Sequence, residues 1–145
     1  MKIDFVDLKR QYISIKKEVD SAIADVLDKT SYIMGENVIK FQEEFAGFCG
    51  VKYAIGVNSG SAALQLSLIA AGIKPGDEVI TTPFTFIATA EAISNAGAKP
   101  VFADINKDTY NIDAEKIKEK VTSKTKAILP VHLYGQCADM DAILD

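Results

Sequence analysis

From Tyr53 onward, short β-rich runs alternate with stretches of helical period, and this alternation restricts the possible folds more than any other feature. The β-rich runs are Tyr53–Val57, Glu78–Thr82, Pro100–Asp104 and Ala127–Leu133. Between them the helical pattern occupies Ser61–Ala71, Phe86–Ala96 and Asp113–Val121, with Gly72, Gly76 and Gly97 punctuating the joins and Asp113 placed as a cap. Parallel strands need long crossovers, and helices of this length supply them with the usual right-handed sense. The spacing predicts an α/β fold built on a mostly parallel sheet with flanking helices.

Upstream of Gly50 the pattern is purely helical. Tyr12, Ile15, Val19, Ile23 and Val26 recur every three or four residues between Asp7 and Asp28, with Asp7 placed to cap the start. After the linker Lys29–Gly35, a second helix over Glu36–Cys49 puts Val38, Phe41, Phe45 and Phe48 on one stripe, and Gly50 stops it. The expected organisation is a helical segment over residues 1–50, followed by α/β structure over residues 51–145. Asp139 is placed to cap a further helix, whose Met140, Ile143 and Leu144 come just before the sequence stops at Asp145. A helix so short is marginal by itself, which leads us to expect that the α/β domain continues and that residues 51–145 are its first part.

Composition narrows the function classes. The chain has 145 residues, 48% of them hydrophobic and 25% charged, which suits a folded globular protein and not a disordered one. The net charge is -4, and the basic residues are Arg10 and fifteen scattered lysines. The one cluster, Lys116, Lys118 and Lys120, is balanced by Glu115 and Glu119. That distribution argues against a nucleic-acid partner or an anionic lipid surface. Cys49 and Cys137 belong to no CxxC or Cys/His pattern, so neither a disulfide framework nor a metal site is expected. With no signal-like run at MKIDFVDLKRQY and no stretch approaching about 20 apolar residues, the expected location is cytoplasmic, away from membranes.

Three segments carry chemistry. Tyr53–Leu66, YAIGVNSGSAALQL, reads as strand, then a turn of small residues (Asn58, Ser59, Gly60, Ser61), then a helix opening at Ala62 and Ala63. A helix start has unpaired N–H groups and a partial positive charge, so a phosphate fits there. An ordinary capped turn fits the same letters, and neither a Walker loop nor GxGxxG is present. Thr81–Ala90, TTPFTFIATA, brings Phe84 and Phe86 to the carboxyl end of a strand, where ligands of open α/β sheets bind. One of these rings could stack on a flat ligand, although core packing is the commoner use of a phenylalanine. Pro130–Gln136, PVHLYGQ, contains His132, the only histidine. It is open to acid–base, substrate-contacting and structural roles alike.

In this order and spacing the segments resemble the DegT/DnrJ/StrS family of pyridoxal-phosphate (PLP)-dependent, fold-type-I sugar-nucleotide aminotransferases. The resemblance also covers FVDLKRQY and YIMGENVIKFQEEFAGFCGVKYAIGVNSGSAALQLSL. It continues through PGDEVITTPFTFIATAEAISNAGAKPVFADI and AILPVHLYGQCADMDAI, and so takes in essentially the whole chain. It implies part of a large PLP domain, with a smaller C-terminal domain further on, in a homodimer with active sites at the subunit interface. It implies that Ser61 and Ala62, with Gly60 shaping the turn, hold the cofactor phosphate. Phe86 would stack on the pyridine ring, and Tyr32, His132 and Tyr134 would lie near the substrate.

The reaction the resemblance implies is transfer of an amino group, from glutamate, to a nucleotide-linked keto-sugar in aminosugar biosynthesis. The family's catalytic Asp and Schiff-base Lys have no matching motif among these residues, so the 145-residue piece is expected to be inactive alone. A PLP-dependent sugar dehydratase of the same family is an alternative, as is a non-catalytic regulatory member.

Overall fold

The structure is a computed structural model that describes Phe5–Asp145. It groups into two compact units, Met1–Gly56 and Val57–Asp145. In the first, α1 spans Leu8–Asp28, and the Asp7 side chain accepts the Arg10 N–H at 2.9 Å as its cap. Its apolar stripe has the expected helical period, yet none of its described residues is buried, and Tyr12, Ile15 and Ile23 are exposed. Helix α2 spans Glu36–Cys49 and ends at Gly50, whose φ of 66° is the left-handed stop a glycine supplies. The rings of Phe41 and Phe45 lie 5.6 Å apart, and those of Phe45 and Phe48 lie 6.4 Å apart, confirming the stripe. Past α2 the chain returns to this helix, and the Gly56 N–H donates to the Gln42 side chain at 2.8 Å.

The second unit contains the sheet. Its elements are α3 (Gly60–Ala70), β1 (Glu78–Thr81), α4 (Ala88–Asn95), β2 (Lys99–Phe102), α5 (Ala114–Lys118), β3 (Thr125–Ile128) and α6 (Met140–Leu144). A 3₁₀ turn, Leu133–Gly135, lies between the last two. The strand order is β2-β1-β3 and both pairings are parallel, with Val79 opposite Pro100 and Ala127. The α/β class with a parallel sheet is therefore as expected.

Strand β1 is central and buried along its whole length. Because successive side chains point to opposite faces, Val79 and Ile80 enter different cores. Val79 packs with Leu68, Ile73, Ala92 and Ile93 beneath α3 and α4, and Ile80 packs with Ala103, Ile112, Ile117 and Ala138. Burying each of the Val, Leu and Ile side chains among these contributes about 1.5–3 kcal/mol, so one four-residue strand organises both layers.

Two expectations are corrected. Tyr53–Val57 forms no strand; Tyr53 and Ile55 are exposed, and none of the three strands pairs with the segment. Strand-forming residues become a strand only with a hydrogen-bonding neighbour. Strand β3 stops at Ile128, well short of Leu133. The Leu129 N–H still reaches the Ile80 carbonyl at 2.8 Å, but Pro130 has no N–H with which to continue the ladder. No described helix is long and apolar enough to cross a membrane.

Candidate functional site at the carboxyl edge of the sheet

Three parallel strands place Thr81, Phe102 and Ile128 at one edge of the sheet. Only seven residues separate the end of α3 from the start of β1, so the start of α3 lies toward that same edge. There the Ser59 hydroxyl accepts the Ala62 N–H at 3.1 Å and caps the helix. The Ala63 N–H goes to the Ser59 carbonyl at 3.0 Å. The N–H groups of Gly60 and Ser61 are left with no acceptor inside the helix. The Ser61 residue is exposed, and a Cβ added at Gly60 would meet nothing within 4 Å. Two free amides, a hydroxyl and open space at the positive end of an 11-residue helix fit a phosphate. Among the described residues nothing crowds position 60, so glycine there leaves the backbone open to close approach from outside. Ser59 is the residue that the sequence reading did not single out, although Ser directly before a helix is a known capping signal.

A cleft of about 500 Å³ opens on the same edge, lined by Pro83, Phe84, Thr85, Phe86, Leu133 and Tyr134. It is formed by the loop after β1 and the loop after β3. A Thr82 hydroxyl that accepts the Phe84 N–H at 3.1 Å folds the first loop, so α4 starts at Ala88 and not at Phe86. The two phenylalanines differ. The Phe84 ring rests 6.1 Å from the Tyr110 ring, whereas Phe86 is 76% exposed. Phe86 is thus the aromatic face free to take a flat ligand, and Phe84 is already partnered.

In the second loop Tyr134 is 94% exposed with φ 53° and ψ 26°. His132 is exposed, and its Nδ1 accepts the Ala138 N–H at 3.0 Å. Its ring therefore closes the turn, which requires the Nε2–H tautomer. Phe86 and Tyr134 come together in this cleft. Tyr32 belongs to the N-terminal unit, on the connection between α1 and α2, and lines a separate hollow of about 200 Å³ there.

At the opposite edge of the sheet the Glu78 carboxylate is held by two donors. The Thr122 hydroxyl donates to Glu78 Oε2 at 2.7 Å, and the Lys99 ammonium donates to Glu78 Oε1 at 3.1 Å. The Thr122 hydroxyl first, then the Lys99 ammonium, hold the Glu78 carboxyl below its ordinary range.

The family model for the DegT/DnrJ/EryC1/StrS aminotransferase family matches residues 13–145. The chain is 49% identical over 141 residues to the UDP-2-acetamido-2-deoxy-3-oxo-D-glucuronate aminotransferase of Pseudomonas aeruginosa, covering 97% of this chain and 39% of that protein. It is 49% identical over 143 residues to a pleiotropic regulatory protein of Geobacillus stearothermophilus, covering 99% and 38%. The crystal structure of NtdA from Bacillus subtilis with bound cofactor PMP superposes with a TM-score of 0.93 at 35% identity, over 98% of this chain and 33% of that one. The chain thus spans about two fifths of the length of the curated relatives it matches.

Proposed function

The chain belongs to the DegT/DnrJ/EryC1/StrS aminotransferase family, and from that premise we propose that the protein it forms part of is a PLP-dependent aminotransferase acting on a nucleotide-linked keto-sugar. The fold is that of fold-type-I aminotransferases. The observation that carries the reading is the pairing, at one sheet edge, of free helix-start amides at Gly60 and Ser61 with the exposed face of Phe86.

PLP supplies an electron sink for the carbon that gains or loses the amino group, and the protein must hold it by phosphate and ring while keeping it flat. In this chain Gly60 and Ser61 would bind the phosphate through backbone N–H groups and the Ser61 hydroxyl. Ala62 enters less directly, because its N–H already serves the Ser59 cap. Phe86 would orient the ring and shield one face from water. Tyr134, across the cleft from Phe86, would meet the substrate, and His132 would act by closing the turn beside Tyr134.

The acceptor class is supported by the Pseudomonas relative, whose name specifies an amino transfer on a UDP-linked sugar. We further propose glutamate as donor, a homodimer as the working assembly and the cytoplasm as its place. We propose too that the 145-residue chain alone does not turn over, because none of its fifteen lysines stands in a motif resembling the family's Schiff-base lysine. The regulatory name of the Geobacillus relative supports a second reading, in which a family member binds the cofactor without catalysis.

The full-length protein with added PLP should show an absorbance band near the visible range that borohydride abolishes by trapping a lysine. No band, or one indifferent to borohydride, would overturn the proposal. A trapped band without amino transfer from glutamate to any nucleotide-linked keto-sugar would favour the regulatory reading.

A further inference from the structure

Beside the cleft lies a polar group that the cofactor reading leaves unused. Asn111 is buried in the loop between β2 and α5, and every hydrogen bond of its side-chain amide goes to one short turn. Its Oδ1 accepts the Leu133 N–H at 3.0 Å. Its Nδ2 donates to the carbonyls of Gln136 at 3.2 Å and Cys137 at 3.1 Å. The orientation is unambiguous, because an amide turned the other way would face two carbonyls with its oxygen. The turn is closed from its own side by the Ala138 N–H on His132 Nδ1.

What this turn presents is Tyr134, a bulky residue at φ 53° followed by Gly135 at φ 83°. Glycine occupies such a conformation freely, but a side chain with a Cβ does so against steric resistance and stays only where its surroundings over-determine it. Three bonds from one buried amide and a fourth from His132 provide that over-determination. The turn does not hold Tyr134 there in order to bury it, since the ring is 94% exposed. The neighbour of Asn111 does a related job. Tyr110, also left-handed at φ 60°, lays its ring 6.1 Å from Phe84. Two adjacent residues of one loop thus reach both walls of the cleft.

We propose that Asn111 is a positioning residue: its buried amide locks the 132–138 turn so that Tyr134 faces the nucleotide-linked sugar in the aromatic cleft. The choice of ligand rests on the function proposed above, whereas the lock itself does not.

The test uses the full-length protein and the variants Asn111→Ala, Asn111→Asp, Tyr134→Ala and the double variant Asn111→Ala/Tyr134→Ala. Asn111→Asp retains the acceptor for Leu133 but turns a carboxylate toward two carbonyls, so its isosteric shape should not rescue the turn. Amide exchange in a peptide covering residues 131–138 should speed up about tenfold in both Asn111 variants, as loss of buried hydrogen bonds predicts. The KM for the nucleotide-linked keto-sugar should rise about tenfold in Asn111→Ala and in Tyr134→Ala, the worth of about one lost contact. The PLP band and the PLP dissociation constant should stay at their wild-type values. The double variant should be no worse than Tyr134→Ala, because Asn111 acts through Tyr134.

Unchanged exchange, additive KM effects, or a lowered melting temperature at wild-type KM would each overturn the proposal. If the wild-type protein binds no PLP, it is the function reading that fails. The exchange measurement then decides by itself whether Asn111 holds the turn.

Discussion

The two edges of the parallel sheet are built on opposite terms. At the amino edge the chain enters its strands through tight glycine turns at Gly76 and Gly97, and Glu78 is satisfied by Thr122 and Lys99. At the carboxyl edge two helix-start amides lack acceptors within α3, and Phe86 and Tyr134 are exposed. Both left-handed tyrosines of the unit, Tyr110 and Tyr134, belong to loops that leave β2 and β3 at this edge. Both edges share the same strands and cores, so the difference lies wholly in what the loops are asked to do. Strain and unspent hydrogen-bonding capacity collect where a ligand can use them, and the opposite edge is closed.

This contrast predicts a graded series of effects on stability. Removing the side chain of fully buried Ile93 serves neither edge and should cost most. Ile93→Ala is expected to lower unfolding stability by about 2–5 kcal/mol in urea titration, and a smaller loss would mean that the α4 layer is looser than its burial indicates. Gly97→Ala should follow, at about 1–3 kcal/mol. The added Cβ would sit at φ 84° and meet Pro75 Cγ at 2.9 Å. A neutral result would show that the amino-edge turn yields readily.

Glu78→Gln should have a smaller, pH-dependent effect. A carboxyl whose folded value is depressed adds stability above its unfolded value and loses it as pH falls through the folded one. The wild-type chain should therefore exceed the variant at neutral pH, and the gap should close on acidification below the ordinary value of 4.5. A gap that is constant with pH would remove the ion pair from the account.

Phe86→Ala should change stability least, within about 0.5 kcal/mol, because the ring is mostly in solvent. In the full-length protein it should nonetheless weaken PLP binding more than Phe84→Ala, whose ring is held by Tyr110. Equal effects would erase the distinction between the two rings.

Much of this fold is legible from local chemistry. Asp7, Gly50, Asp113 and Asp139 mark helix ends because caps and stops act within a few residues. The strand around Val79 shows as an apolar run because it is buried along its whole length, whereas those around Val101 and Ala127 are only partly buried. The Tyr53–Val57 run misleads, since its letters record a propensity and not a partner. The candidate site is legible in part. SGSAA and PFTF announce a helix start and exposed aromatics, but which phenylalanine is free depends on Tyr110, far along the chain. Asn111 leaves no local trace, because its three bonds cross more than 20 residues. A tyrosine gives no warning that it will be left-handed.

The central place of β1 has a consequence for how the molecule assembles. Its pairing with β2 closes a short loop through α4, whereas its pairing with β3 spans a much longer stretch of chain. Closure entropy grows with the length enclosed, so β2 should dock first and β3 second. Pulse-labelled exchange should accordingly protect the amides of β2 before those of β3. The cleft between the loops of β1 and β3 is then among the last features to form, and its aromatic walls are the surface a folding chain leaves uncovered longest.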